Sequence, residues 1–147
     1  METHTCKTYF TVNFEFDLKK NAELIRKGTP CVPEDLGIFT KDEAEKFLRE
    51  RLGVDPVWKR HHFEIGRNET YRADINEMIR ITLKDLFGKE ALLKELQQTF
   101  GVTTSLVLVP YIASESEETH RNLSPDRDVI AFLFESNTMH DMDYFIL

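Results

Sequence analysis

Residues 9–16 read YFTVNFEF, and this alternation of apolar and polar side chains decides the fold class. Successive side chains of a β-strand point to opposite faces, so every second residue here shares a face. One face is wholly apolar and carries Phe10, Val12, Phe14 and Phe16. The pattern predicts a half-buried strand with one face against a hydrophobic core.

Helical periodicity follows that strand. Thr40-Lys41-Asp42-Glu43 has the spacing of a capping box, in which the Thr and Glu side chains satisfy backbone donors at a helix start. The segment Asp74–Phe100 predicts two helices in series or one helix kinked at Gly88. A further helix is expected after Ser124, because Ser is a favoured N-cap.

Three more segments read as strands. They are Val57–Ile65, Leu106–Val109 and His140–Leu147, and the second is apolar on both faces, as in a central strand covered on both sides. The segment Asp17–Phe39 reads as a long connection and Ala113–Asn122 as an acidic surface loop. Strands that alternate with helices predict one α+β domain, with about four to five strands in a mostly antiparallel or mixed sheet and about three to four helices.

The apolar positions of these elements define an expected core. Its members are Phe10, Phe14, Phe47, Leu48, Leu96, Leu106, Leu108, Ile130 and Leu133. On the last helix, the buried stripe is expected to consist of Val129, Ile130, Leu133 and Phe134.

Composition limits the classes of partner. The chain has 147 residues, the size of one domain, and its net charge of −7 disfavours binding to nucleic acid. No apolar run is long enough to span a bilayer, and Met1–Lys7 lacks the features of a secretory signal. We therefore expect a cytoplasmic protein without a membrane partner, in which Cys6 and Cys31 are buried thiols rather than a disulfide.

The sequence carries no motif that is typical of a catalytic site. Glycine-rich phosphate loops, nucleophile elbows, Cys-x-x-Cys pairs and His-Glu-x-x-His helices are all missing from it. It predicts no catalytic residue, no metal and no cofactor.

One set of polar residues is a candidate binding site for a ligand or a partner. It comprises Trp58, Arg60, His62, Asp141 and Asp143. Two carboxylates on the same side of one strand, about 7 Å apart, repel each other and are more stable beside a cation such as Arg60 or on a solvated face. If the two strands are neighbours, His62 and Glu64 would meet the two aspartates in a metal site, although the solvated face of a sheet has the same pattern.

Three stretches together resemble a bacterial family called domain of unknown function 4279. They are Leu48–Lys59 (LRERLGVDPVWK), Leu93–Ile112 (LKELQQTFGVTTSLVLVPYI) and Leu123–Leu147 (LSPDRDVIAFLFESNTMHDMDYFIL). The resemblance implies a standalone bacterial α+β domain over residues 1–147, with a longer connection at 17–39, and it brings no established activity. Residues that match the family pattern are Gly53, Pro56, Trp58, Ser124, Asp141 and Asp143.

Two functions remain open from the sequence. The first is a small non-enzymatic module that binds another protein through its sheet or its acidic loop, in the manner of an immunity protein or antitoxin whose negative surface neutralises a basic toxin. The alternative is a metal-assisted or small-molecule-binding enzyme that uses the strand aspartates and histidines.

Overall fold

The computed structural model describes residues 6–16, 33–59, 61–70, 75–109, 111–112, 126–142 and 145–146. Most of the predicted long connection, the acidic loop and Cys31 lie outside these ranges. In chain order the elements are β1 (Cys6–Phe14), a 3-10 turn (Pro33–Leu36), α1 (Lys41–Glu50), β2 (Val57–Lys59), β3 (His62–Thr70), α2 (Ile75–Leu83), α3 (Glu90–Phe100), β4 (Val102–Val109), β5 (Tyr111–Ile112), α4 (Arg127–Glu135), β6 (Met139–Met142) and β7 (Phe145–Ile146).

Five strands form one mixed sheet in the order β2-β3-β1-β4-β6. The central strand β1 pairs antiparallel with β3 and β4, whereas β4 pairs parallel with β6. A parallel pair needs a crossover connection, and α4 lies within this one. The short strands β5 and β7 form a separate parallel pair. Four α-helices and a five-stranded mixed sheet confirm the predicted α+β class.

The two faces of the sheet differ in character. The helix face carries the even-numbered residues of β1, and these form one core with the buried residues of all four helices. The opposite face, called the polar face here, carries Lys7, Tyr9, Thr11 and Asn13 of β1. The alternation within residues 9–16 therefore separates these two faces as expected.

Most of the expected core is confirmed. Phe47 is only partly buried, and Ile130 is 53% exposed, so the prediction for Ile130 is wrong. Phe134 is 86% exposed, which contradicts the predicted stripe on α4. That helix buries Val129, Phe132 and Leu133, and at roughly 100° per residue a stripe through these positions turns residues 130 and 134 toward solvent. The residues confirmed as buried are Phe10, Phe14, Leu48, Leu96, Leu106, Leu108 and Leu133.

The predicted single strand Val57–Ile65 is wrong, because its two ends pair antiparallel with each other as the hairpin β2–β3. Trp58 pairs with Phe63, and Lys59 pairs with His62. Directly opposed residues of an antiparallel pair share a face, so Trp58 lies on the helix face while His62 lies on the polar face.

Gly66 marks an irregularity in β3 where α2 comes closest to the sheet. Its φ is +66°, and a Cβ atom at this position would lie 2.5 Å from the carbonyl oxygen of Thr82. The Thr82 hydroxyl instead donates to the Gly66 carbonyl at 2.8 Å and lies 2.6 Å from the Thr8 hydroxyl. These contacts fix α2 against β1 and β3.

The helix boundaries only partly follow the predicted signals. Thr40 is the N-cap of α1 but makes no side-chain capping bond, so the capping box does not form. The segment from Ile75 to Phe100 contains two helices in series, with Gly88 at a φ of +85° in the turn between them. None of the described helices is long and apolar enough to cross a membrane.

Candidate functional site

Of the five residues predicted to form one binding surface, the three that the structure describes do not come together. Trp58 is on β2 at one edge of the sheet, Asp141 is on β6 at the other, and three strands lie between them. At about 4.8 Å per strand, the two edges are roughly 19 Å apart. Arg60 and Asp143 lie outside the described residues. The predicted surface does not form among Trp58, His62 and Asp141, because β6 pairs with β4 and not with the β2–β3 hairpin.

Trp58 packs at the border of the core. Its ring centroid is 5.0 Å from that of Phe63 and 5.9 Å from that of Phe14, both in edge-on geometry. The Lys41 ammonium lies 5.6 Å from its centroid. These contacts give the indole a packing role on the helix face.

His62 lies on the polar face, between Lys59 and Asn13 on the neighbouring strands. Its Nδ1 atom is buried and has no hydrogen-bond partner. Burial lowers the pKa of His62 from 6.5, and the nearby His61 lowers it further, while Glu64 opposes the shift. The site therefore favours the neutral imidazole.

Asp141 lies on the polar face at the other edge, beside Val107, and its side chain is exposed. The preceding residue, His140, has its pKa lowered by burial, with the Asp141 carboxylate acting against that shift. Within the described ranges, no group of three or more His, Cys, Asp or Glu side chains is arranged to hold a metal ion. The convergence required for the metal hypothesis does not form there.

An ion network crosses the polar face near β3. Arg67 donates to Glu64 at 2.9 Å and to Glu69 at 2.7 Å, and its guanidinium carbon lies 5.0 Å from the Tyr9 ring centroid. Glu64 is only 6% exposed. A buried carboxylate requires a partner charge, so Arg67 neutralises Glu64 within the sheet.

The most exposed large apolar side chain among the described residues is on α4. Phe134 is 86% exposed and Ile130, one turn earlier, is 53% exposed. Residues four apart lie on the same side of a helix, so the two form a continuous apolar pair. The sequence signal for it is the run VIAFLF at 129–134, because a helix at the surface cannot bury apolar residues around its whole circumference.

A groove of about 600 Å³ lies beside this pair, where the last turn of α3 meets the end of α4. Phe134 forms its apolar wall. Among the described residues, the remaining lining is polar or charged and consists of Lys94, Gln97, Gln98, Glu135 and Asn137.

Gln97 connects the two sides of the groove. Its side-chain amide donates to the Ser136 carbonyl at 2.8 Å and to the Thr104 hydroxyl at 2.9 Å, and the Asn137 carbonyl lies 3.3 Å away. The last turn of α3 is thus joined to both β4 and the end of α4, which holds the groove in one shape.

The end of α4 has a well-defined capping geometry. Asn137 adopts a left-handed φ of 54°, and its backbone N–H donates to the Phe134 carbonyl at 3.2 Å. The Thr138 N–H donates to the Leu133 carbonyl at 2.9 Å. This pair of bonds is the Schellman motif, and it fixes the backbone that presents Phe134 and Glu135.

One carboxylate and one ammonium line the described part of the groove, and the C-terminal ends of two helices add partial negative charge. Neither α3 nor α4 has a basic residue in its last turn, so the partial negative charge at each helix C-terminus is uncompensated there. The Glu135 carboxylate adds to this charge, and the ammonium of Lys94 opposes it. The groove combines an exposed ring with a carboxylate and the C-terminal ends of two helices.

Comparison with known proteins identifies no relative. No family model, no curated protein and no solved structure matches this chain. The resemblance to domain of unknown function 4279 stays a prediction, carried by the three stretches of sequence described above.

Proposed function

We propose that this chain is a small cytoplasmic, non-enzymatic module that binds another protein through α4. The observation that carries the proposal is the exposure of Phe134, 86% of whose surface faces solvent beside a groove. Exposed apolar patches next to concave polar surface are typical of protein interaction sites, and aromatic side chains are enriched at such sites. Ile130 extends the patch by one helical turn.

The charge of the chain supports a basic partner. A net charge of −7 attracts a positively charged protein and raises the rate of encounter with it. An immunity-like or antitoxin-like role, in which the acidic module neutralises a basic protein, fits this balance. The partner surface proposed here is the α4 patch and not the set of strand residues from Trp58 to Asp143.

The metal-assisted alternative loses its geometric basis in the described sheet. It required His62 and Asp141 on neighbouring strands, whereas β1 and β4 lie between β3 and β6. We therefore advance protein binding as the function and do not advance a catalytic step.

The proposal is tested by capturing partners on immobilised full-length protein. Phe134→Glu and Ile130→Glu are the test variants, and Ile81→Glu is the matched control, because Ile81 is 47% exposed but lies on α2. Surface substitutions of this kind change stability by only about 0.5 kcal/mol, so all three variants are expected to fold. We expect one partner to bind the wild type and the control, and to be lost from both α4 variants.

Two outcomes would overturn the proposal. One is equal capture by the wild type and Phe134→Glu, which would place the interface elsewhere. The other is a concentration-dependent dimer in light scattering that Phe134→Glu abolishes, which would mean that a second copy of this chain occupies the patch.

A further inference from the structure

We propose that the groove between α3 and α4 binds an arginine side chain presented by the basic partner. The inference rests on the proposed function and specifies which chemistry that partner brings to Phe134. It follows from three features that meet at the end of α4, namely an exposed ring, two helix C-termini and a carboxylate.

The ring of Phe134 offers a face for a planar cation. Cations are attracted to the negative face of an aromatic ring, and guanidinium groups both stack on such faces and shed water more easily than ammonium groups. At 86% exposure, the ring is accessible to an incoming side chain. The same chain already shows this geometry elsewhere, because the Arg67 guanidinium lies 5.0 Å from the Tyr9 ring centroid.

Two helix ends supply negative potential at the same place. Gln97 of α3 bonds to the Ser136 carbonyl after α4, so the last turns of the two helices are in direct contact. Each helix C-terminus is equivalent to roughly half a negative charge. Neither last turn contains a Lys or Arg side chain to offset it.

Glu135 supplies a full negative charge on the groove lining, next to Phe134 in the chain. A guanidinium that stacks on the ring can also donate in its own plane to a carboxylate, which an ammonium cannot do in the same bidentate manner. The combination selects arginine over both neutral side chains and lysine.

Lys94 is the one residue in the described lining that opposes a cation. It lies on α3, and its flexible stem lets the ammonium move away from an incoming charge. Removing this charge should therefore strengthen binding of arginine, whereas removing the ring or the carboxylate should weaken it.

The experiment uses the full-length chain and three acetylated, amidated tripeptides, Leu-Arg-Leu, Leu-citrulline-Leu and Leu-Lys-Leu. Citrulline has the shape of arginine without its charge. Backbone amide shifts in NMR report both the affinity and the location of binding. We expect the arginine peptide to shift the amides of Gln97, Phe134 and Asn137, and to bind about fivefold more tightly than the citrulline peptide.

Variants separate charge from shape. We expect Phe134→Leu and Glu135→Gln each to weaken the arginine peptide about threefold, and Lys94→Gln to strengthen it about twofold. Gln98→Glu, on the same lining but outside the ring and carboxylate pair, serves as a control for added charge alone. Equal binding of the arginine and citrulline peptides, or weaker binding by Lys94→Gln, would overturn the inference.

The two experiments distinguish failure of the arginine inference from failure of the proposed function. If capture of the partner depends on Phe134 but the arginine peptide does not bind, the proposed function stands and the inference about arginine is wrong. If the arginine peptide binds the groove but Phe134→Glu does not change capture of the partner, the proposed function is wrong. The role assigned to the groove is then wrong as well.

Discussion

Arg80 of α2 donates two hydrogen bonds to the carboxylate of Asp128 in the first turn of α4, at 2.6 and 2.8 Å. One of its nitrogens also donates to Asp126, the N-cap of α4, at 2.8 Å. Because both carboxylates lie at the positive end of the α4 dipole, they stabilise the helix start as well as the contact with α2. The contact joins α2 to the start of α4, while Gln97 joins α3 to its end.

The Arg80 contact predicts a titration behaviour. Hydrogen bonds from Arg80 lower the pKa of Asp128 below 3.8, so its contribution to stability is present above that pH and is lost as the pH falls through the folded-state pKa. Arg80→Lys removes the bidentate geometry, and we expect the pKa of Asp128 to rise toward 3.8 in a carboxyl NMR titration. Arg127→Lys is the charge-matched control on α4, and an unshifted Asp128 in Arg80→Lys would contradict the prediction.

Two glycines have almost the same φ, so substituting each of them distinguishes the cost of backbone strain from the cost of a steric clash. Gly66 and Gly101 have φ values of +66° and +65°, but only at Gly66 would a Cβ meet the Thr82 carbonyl. We expect Gly101→Ala to lower the free energy of unfolding by about 1–2 kcal/mol, and Gly66→Ala to lower it by a further 1–3 kcal/mol or so. Urea denaturation measures both, and equal losses would mean that α2 moves away at little cost.

Two apolar residues on α4 are predicted to differ strongly in their contribution to stability. Leu133→Ala creates a cavity in the core and should cost about 2–5 kcal/mol, whereas Ile130→Ala should change stability by only about 0.5 kcal/mol. The reason is that Leu133 is 8% exposed and Ile130 is 53% exposed. Denaturant midpoints test the pair, and a large loss for Ile130→Ala would place that residue in the core after all.

Acid should weaken the fold through His62. Its folded-state pKa lies below the ordinary value of 6.5, so between these two values the unfolded chain binds more protons and the free energy of unfolding falls as the pH falls. We expect the loss between about pH 7.5 and pH 5.5 to be smaller in His62→Gln than in the wild type. Identical pH profiles for the two proteins would show that His62 titrates at its ordinary pKa in the fold.

Much of the fold was predictable from local pattern. The alternation in β1 separates the two faces correctly, because the strand is half buried and its side chains obey a period of two. The crossover through α4 made a parallel pair possible, and β4–β6 is that pair. Buried positions such as Phe10, Leu48 and Leu106 follow from the same periodicities.

The site was not predictable by the same reasoning, since it depends on long-range order. One continuous strand would place Trp58 and His62 on the same face, but in the hairpin Trp58 pairs with Phe63, so Trp58 and His62 lie on opposite faces. The order of strands places Asp141 at the far edge, and nothing local specifies that order. The exposure of Phe134 depends on which of six consecutive apolar residues α4 turns toward α3 and β4.

The central position of β1 has a consequence for synthesis of the chain. β1 leaves the ribosome well before its partner β4, which spans residues 102–109. At about 5–20 residues per second, β1 waits roughly 5–20 s before that side of its backbone finds a partner. During this interval a newly made strand rich in phenylalanine has an unpaired edge, and such an edge is a template for pairing with another chain.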